Sequence, residues 1–208
     1  MQNRLTPSEQ ANRRAIRRHY RRVRRALTAS VQHEHATAAA IALRRSRLWL
    51  HGATFAGYAA ADGELDLQPA FVALRAGGKC VGLPVIPRLG KRLEFFEDDG
   101  RPLIAGRYGI LVPPLNAAFL SLLRIDVLLM PLVAFDAHGT RLGMGGGYYD
   151  QTLAGLSPGL RPHLIGVAHA CQEHAEALPR EHWDIPLDGV LTEHGLRMFA
   201  RDRSTKGV

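Results

Sequence analysis

Sulfur is scarce in this chain. Its 208 residues hold two cysteines, Cys80 and Cys171, far apart in sequence. That excludes a disulfide framework, and both are expected as reduced thiols in a cytoplasmic protein. Long apolar runs are missing too. Nothing approaches the roughly 20 consecutive apolar residues that a membrane helix needs, so no membrane partner is expected. The N-terminus is basic, but no apolar signal core follows it, which argues against secretion. Its arginine content approaches that of a mitochondrial presequence, but Glu9 and the scarcity of serine argue against one. The P-loop pattern GxxxxGK[ST] is absent, because no Gly-Lys is followed by Ser or Thr. The dinucleotide pattern GxGxxG fails as well, since from Gly143 it would need glycine where Tyr148 stands. No Gly-x-Ser-x-Gly or Ser/His/Asp arrangement is evident. There are no internal repeats.

What is abundant is arginine, and it is concentrated. Residues 1–25 contain nine arginines and one acid, Glu9, a net of +8, which equals the net charge of the whole chain. The remainder is electrically neutral. A nucleic-acid binder is expected to carry its basic patch onto the body and to interleave aromatics. Here the body is balanced and aromatics are only 7% of the residues. Nucleic acid is therefore the lesser expectation as a partner, with the arginine segment as its binding arm.

Residues 7–26 are expected to form a helix, with Thr6 or Ser8 as cap and Pro7 in the first turn. Arg13, Arg17, Arg21 and Arg25 recur at four-residue spacing. Ala15, Ile16, Tyr20, Val23 and Leu27 supply a thin apolar stripe. Like charges at this spacing repel, so the segment gains if an anion sits against it. A second helix is expected over 31–50, ended by Gly52, and a short one over 67–76, closed by Gly77-Gly78. Strands are expected at 53–59, 80–85, 92–96, 126–130, 164–168 and 189–192. Asp62-Gly63 signals a turn. Residues 108–111 suggest an extended surface segment, 116–123 a helical turn, and 148–156 a helix stopped by Pro158-Gly159. The last residues, 201–208, suggest a frayed tail. Strands that are continuous apolar runs, alternating with helices, imply a mostly parallel sheet covered on both faces: an α/β layered fold. Ligands in such sheets collect at the carboxyl ends of the strands.

One stretch stands out. An apolar strand leads through Phe135-Asp136 and a polar turn to Arg141, then to Gly143, Gly145, Gly146 and Gly147, and exits through Tyr148-Tyr149-Asp150. A strand, a glycine-rich loop and a helix in that order seat phosphate on backbone N–H groups. Arg141 is a fixed cation suited to bidentate phosphate binding. Asp150 is placed to hold a divalent cation such as Mg2+, which takes one or two carboxylates and completes its shell with water and phosphate oxygens.

The stretch FDAHGTRLGMGGGYYD closely resembles the signature of the 5-formyltetrahydrofolate cyclo-ligase family, also called methenyltetrahydrofolate synthetases. Weaker likenesses cover most of the chain: the arginine helix ending Arg25-Ala26-Leu27-Thr28, the acidic segment Asp62-Gly63-Glu64-Leu65-Asp66, the strand from Gly78-Lys79 to Leu83-Pro84, Tyr108-Gly109-Ile110, and Trp183-Asp184-Ile185-Pro186-Leu187-Asp188. The resemblance implies a single α/β domain of the NagB/RpiA/CoA-transferase-like kind over residues 1–200. It implies ATP-dependent cyclisation of 5-formyltetrahydrofolate to 5,10-methenyltetrahydrofolate by a monomer, through phosphorylation of the formyl oxygen. ATP contacts are then expected from Arg13 and Arg17 and from the loop residues Arg141, Leu142, Gly143, Met144, Gly145, Gly146, Gly147, Tyr148 and Tyr149. Folate contacts are expected from Ala59, Glu64, Tyr108, Met144, Gly145, Gly146, Gly147 and Tyr148. Catalytic roles fall to Arg141 and Tyr148, and Mg2+ to Asp150 and Asp184.

Two features depart from the family pattern. Some members carry Arg and Lys within the glycine loop where this chain has Met144 and Gly146, and the family's Glu-Pro after YGI is Val112-Pro113 here. Charge at the loop must then come from Arg141, the N-terminal helix or the metal. A sugar-phosphate isomerase or transferase is a further reading of such a sheet, because one fold hosts many chemistries. His33-Glu34-His35 and Cys171-x-x-His174 are not expected to bind metal. The two histidines diverge on a helix, and the Cys-His pair lacks partners at zinc spacing.

Overall fold

The computed structural model describes residues 5–157 and 159–200, so the expected frayed tail at 201–208 and Pro158 of the expected stop signal lie outside the described residues. Helix α1 spans Pro7–Arg25. Thr6 caps it: its hydroxyl accepts the Glu9 N–H at 3.3 Å while the Glu9 carboxylate accepts the Thr6 N–H at 2.8 Å. This reciprocal capping box satisfies two donors that a helix start leaves orphaned. α2 (Ala29–Arg44) starts on Thr28, and α3 (Arg47–His51) starts on Ser46. The single helix expected over 31–50 is thus two. Ser46 Oγ accepts the Trp49 N–H at 3.2 Å and donates to the Leu43 carbonyl at 2.6 Å, a local hydrogen-bonding alternative that ends one helix and begins the next.

The strands follow in order: β1 Thr54–Ala56, β2 Cys80–Val85 after helix α4 (Gln68–Ala76), β3 Glu94–Glu97, β4 Ile104–Ala105, β5 Leu111–Val112, β6 Phe119–Leu120, β7 Val127–Pro131, β8 Ala134–Phe135 and β9 Arg141–Leu142. Helix α5 (Tyr148–Leu153) precedes β10 His163–Val167, β11 Gly189–Thr192 and β12 Gly195–Met198. Eight of them make one sheet in the order β12-β11-β10-β7-β1-β2-β3-β6. From β11 to β2 all pairings are parallel, while the outer pairings β12–β11, β2–β3 and β3–β6 are antiparallel. The mostly parallel layered sheet is as expected.

Three local expectations are corrected. Residues 116–123 hold β6 rather than a helical turn, with a 3-10 turn only at Leu122–Arg124. Residues 108–111 are only partly extended: Tyr108 and Gly109 belong to a 3-10 turn at Arg107–Gly109 that connects the two strands of the β4–β5 hairpin, while Ile110 and Leu111 are extended. α5 ends at Leu153, with Gly155 in the left-handed region at φ 84°. β12 has no apolar run to announce it, because it pairs at the sheet edge with half-exposed residues.

The central strands are apolar throughout because both faces are covered. Phe55, Val127, Leu129, Ile165 and Leu191 pack with Leu43 of α2 and with Phe71 and Leu74 of α4. Ala56, Leu128, Met130, Leu164 and Val190 point the other way and pack with Phe95, Leu120 and Leu153. The strand period of two produces this alternation. Truncating a leucine such as Leu129, 0% exposed, to alanine costs about 2–5 kcal/mol. α1 packs separately: Ile16 and Tyr20 lie against Val133, Ala134, Leu142 and Leu178, on segments that follow the carboxyl ends of β7 and β10.

Candidate active site

Segments leaving the carboxyl ends of β1, β2 and β7 enclose a cleft of about 670 Å³ with α1 and the glycine loop. That volume is in the range of ligand pockets. Its position is the edge at which the fold class predicts binding.

The glycine loop, residues 143–147, runs from β9 to α5. Gly145 has φ 100°, and a side chain there would meet the Arg17 guanidinium, 3.7 Å from the position of a Cβ. Gly147 caps α5 in the left-handed conformation at φ 70°. Both are conformations that L side chains avoid. α5 has only six residues, so little of the positive charge at this loop comes from a helix end. Arginine supplies it instead. Arg141 is buried and binds Asp150 Oδ1 at 2.5 Å. Its Nε is buried with no hydrogen-bond partner among the described residues. Arg17 donates from Nε to the Gly143 carbonyl at 2.8 Å, and Arg13 pairs with Asp184 at 2.9 Å. Burial, then the neighbouring Arg13, lowers the Arg17 pKa, with Asp184 opposing.

Asp150 and Asp184 line the same cleft and are tied through the backbone. Ile185 N–H donates to Asp150 Oδ1 at 3.3 Å, and Glu181 N–H donates to Asp184 Oδ2 at 2.8 Å. Each carboxylate engages one oxygen in these contacts, leaving Oδ2 of Asp150 and Oδ1 of Asp184 for a cation. An all-oxygen set of two carboxylates suits Mg2+ held partly by phosphate.

The cleft lining also holds aromatic and acidic residues, among them Tyr58, Glu64, Tyr108, Tyr148 and Trp183, together with Ala59. Tyr108 is exposed and holds φ 59°, a left-handed conformation that costs a residue with a side chain of order 1–3 kcal/mol. The Tyr148 phenol is raised above its ordinary pKa, first by hydrogen bonding with the Tyr108 side chain. Burial, then the Glu64 charge, raises the Tyr149 phenol. Burial also raises the Glu64 carboxyl, while Arg24 pulls it down.

All the residues expected at the site line this cleft except Leu142. That side chain is 1% exposed and packs behind the loop with Ile16 and Tyr20, while its carbonyl accepts the Val133 N–H at 2.7 Å. Several contributors were not foreseen. Arg24, not among the residues expected at the site, is fully buried: it donates to the Asp62 carboxylate at 2.8 Å, the Asp62 carbonyl at 2.9 Å and the Leu132 carbonyl at 3.0 Å, and lies 3.6 Å from Glu64. Asp62 also binds Arg21 and Arg25. The available signal was spacing, since Arg24 continues the buried row Ile16, Tyr20 by one further turn. Val112, in place of the family's glutamate, is buried opposite Ile104.

Comparison with known proteins gives a consistent result. A model of the 5-formyltetrahydrofolate cyclo-ligase family matches residues 9–193. A 5-formyltetrahydrofolate cyclo-ligase of Escherichia coli K12 is 42% identical over 175 residues, covering 83% of this chain and 95% of the relative. The Haemophilus influenzae cyclo-ligase is 38% identical over 188 residues, covering 86% and 96%. The solution structure of Aquifex aeolicus 5,10-methenyltetrahydrofolate synthetase superposes with a TM-score of 0.78 at 28% identity, over 94% of this chain and 96% of that one. A Mycoplasma pneumoniae synthetase shares the fold, with a TM-score of 0.69 at 21% identity over 87% and 98%.

Proposed function

The chain belongs to the 5-formyltetrahydrofolate cyclo-ligase family of enzymes, and from that membership we propose that it converts 5-formyltetrahydrofolate and ATP to 5,10-methenyltetrahydrofolate, ADP and phosphate. The observation that carries this reading is the lining of one cleft, which gathers Arg13, Arg17 and Arg141 around a glycine loop and also presents Glu64, Tyr108, Tyr148 and Trp183. The cations suit a polyphosphate, and the acid and aromatic rings suit a flat heterocycle with N–H donors.

The formyl oxygen attacks the γ-phosphorus, forming an O–P bond as the bond to ADP breaks. The 10-nitrogen then attacks the activated carbon and loses its proton, and phosphate departs with the former formyl oxygen as the ring closes. Such chemistry needs positioning and charge stabilisation more than covalent help. Arg17 and Arg13 approach the phosphates from α1, and Arg141 from beneath the loop. The Tyr148 phenol, held neutral, donates a hydrogen bond beside the transferred group. Glu64 accepts from the pterin edge, positioned by Arg24. Asp150 and Asp184 would hold Mg2+, which would supply neutralisation of phosphate charge.

The direct test is near-ultraviolet absorbance of a methenyl-folate product on mixing the purified protein with 5-formyltetrahydrofolate, ATP and Mg2+. Growth that requires all three supports the proposal. Its absence from well-folded protein overturns it. Asp150→Ala is expected to abolish growth at ordinary Mg2+ concentration.

A further inference from the structure

Away from the cleft, three chain segments bring metal-binding side chains to one point. His35 comes from the middle of α2, His169 from the turn after β10, and Glu193 from the turn between β11 and β12. His35 Nδ1 and His169 Nδ1 lie 2.9 Å apart, and Glu193 Oε1 lies 3.5 Å from His35 Nδ1. All three ligand atoms fall within 4.8 Å of one another. Around a tetrahedral Zn2+, with bonds of about 2.0–2.1 Å, neighbouring ligand atoms stand ~3.3 Å apart. The separations of 2.9 and 3.5 Å bracket that value. Two Nδ1 atoms facing each other at this distance share a single proton, and a cation bound there takes its place.

The surroundings favour such a site. His169 is fully buried. The second oxygen of Glu193 accepts the Ala170 N–H at 2.9 Å, which orients the carboxylate. The side chains of His35 and Glu193 are 21% and 10% exposed, leaving a way in for the ion and a water. Two imidazoles and one carboxylate select a first-row transition ion over Mg2+, which takes oxygen ligands. Cys171 sits on the same turn but does not join the three converging atoms.

We propose that His35, His169 and Glu193 bind one Zn2+-class divalent cation, which staples α2 to the turns that follow β10 and β11. The staple lies behind the cleft wall. Gln172, on the His169 turn, donates to the carbonyls of Leu132 and Val133, and Arg24 donates to the same Leu132 carbonyl. The site is separate from the Asp150–Asp184 pair and does not depend on which reaction the cleft performs.

The test is calorimetric titration of chelator-treated full-length protein with ZnCl2 in excess Mg2+. One equivalent is expected to bind. His35→Gln and Glu193→Gln, at partly exposed positions, should each weaken binding by ~10-fold or more. His33→Gln, on the exposed side of the same helix, should leave it unchanged. In the unsubstituted protein Tm should rise by roughly 5 °C or more at ~100-fold excess over Kd. No uptake of Zn2+, or unchanged affinity in either His35→Gln or Glu193→Gln, overturns the site. Uptake without a rise in Tm overturns the staple.

Discussion

On one side of α1, Arg13, Arg17, Arg21 and Arg24 reach the body of the protein and find Asp184, the Gly143 carbonyl and Asp62. On the other side, Arg18 and Arg22 stay exposed. Residue type and helix are the same, so propensity and composition treat the two sides alike. What separates them is angle. Residues three and four apart share a face, and the inner row falls against the carboxyl ends of the strands. There an arginine loses water and must be repaid in hydrogen bonds, whereas an outer arginine keeps its solvent. An arginine-rich segment is therefore not one functional unit, and its net charge says little about its partner.

The comparison is broken most directly at Arg24. Arg24→Leu leaves Asp62 and Glu64 without their buried cation and should cost about 3–5 kcal/mol in denaturant unfolding, as for one partner removed from a buried pair. A loss below ~1 kcal/mol would place Arg24 with the outer arginines. Next comes Arg17→Ala, which should raise KM for ATP by roughly 10-fold or more and leave KM for the folate much less affected, the size of a lost charge-assisted hydrogen bond. An unchanged KM for ATP would count against α1 as a nucleotide contact.

A pH profile sharpens the comparison through Glu64. In the proposed reading its carboxylate accepts from the ligand, and protonation would remove that acceptor. Because burial raises its pKa, the acid limb of kcat/KM should lie above the ordinary glutamate value, falling ~10-fold per pH unit below it. Glu64→Gln should remove that limb, and a limb that persists would assign it to another group. The smallest effect is expected from Arg18→Ala and Arg22→Ala: stability within about 0.5 kcal/mol, with KM for ATP unchanged. A larger shift in either would show that the outer face is not merely solvated.

The legibility of these features follows their range along the chain. β11 is an apolar run between turn residues and lies where the sequence places it, and the capping box at Thr6 and Glu9 is written in four adjacent residues. The glycine loop was conspicuous because its chemistry is contiguous from Arg141 to Asp150. The split at Ser46 was missed because a serine within a helical stretch is ordinary until its hydroxyl turns to the backbone. The His35, His169 and Glu193 cluster was invisible for another reason. Its members are 134 and 24 residues apart in succession, and His35 was weighed only against its sequence neighbours.

By itself the sequence determined the α/β layering, through apolar runs long enough for strands covered on both faces. It also determined the loop, through glycines whose backbone freedom no other residue supplies. Only the tertiary structure decided which arginines are buried, where Asp184 meets Arg13, and that two distant histidines face each other. Those contacts depend on the angle at which a helix is laid against a sheet and on the desolvation that follows, and both are set by packing across the whole chain.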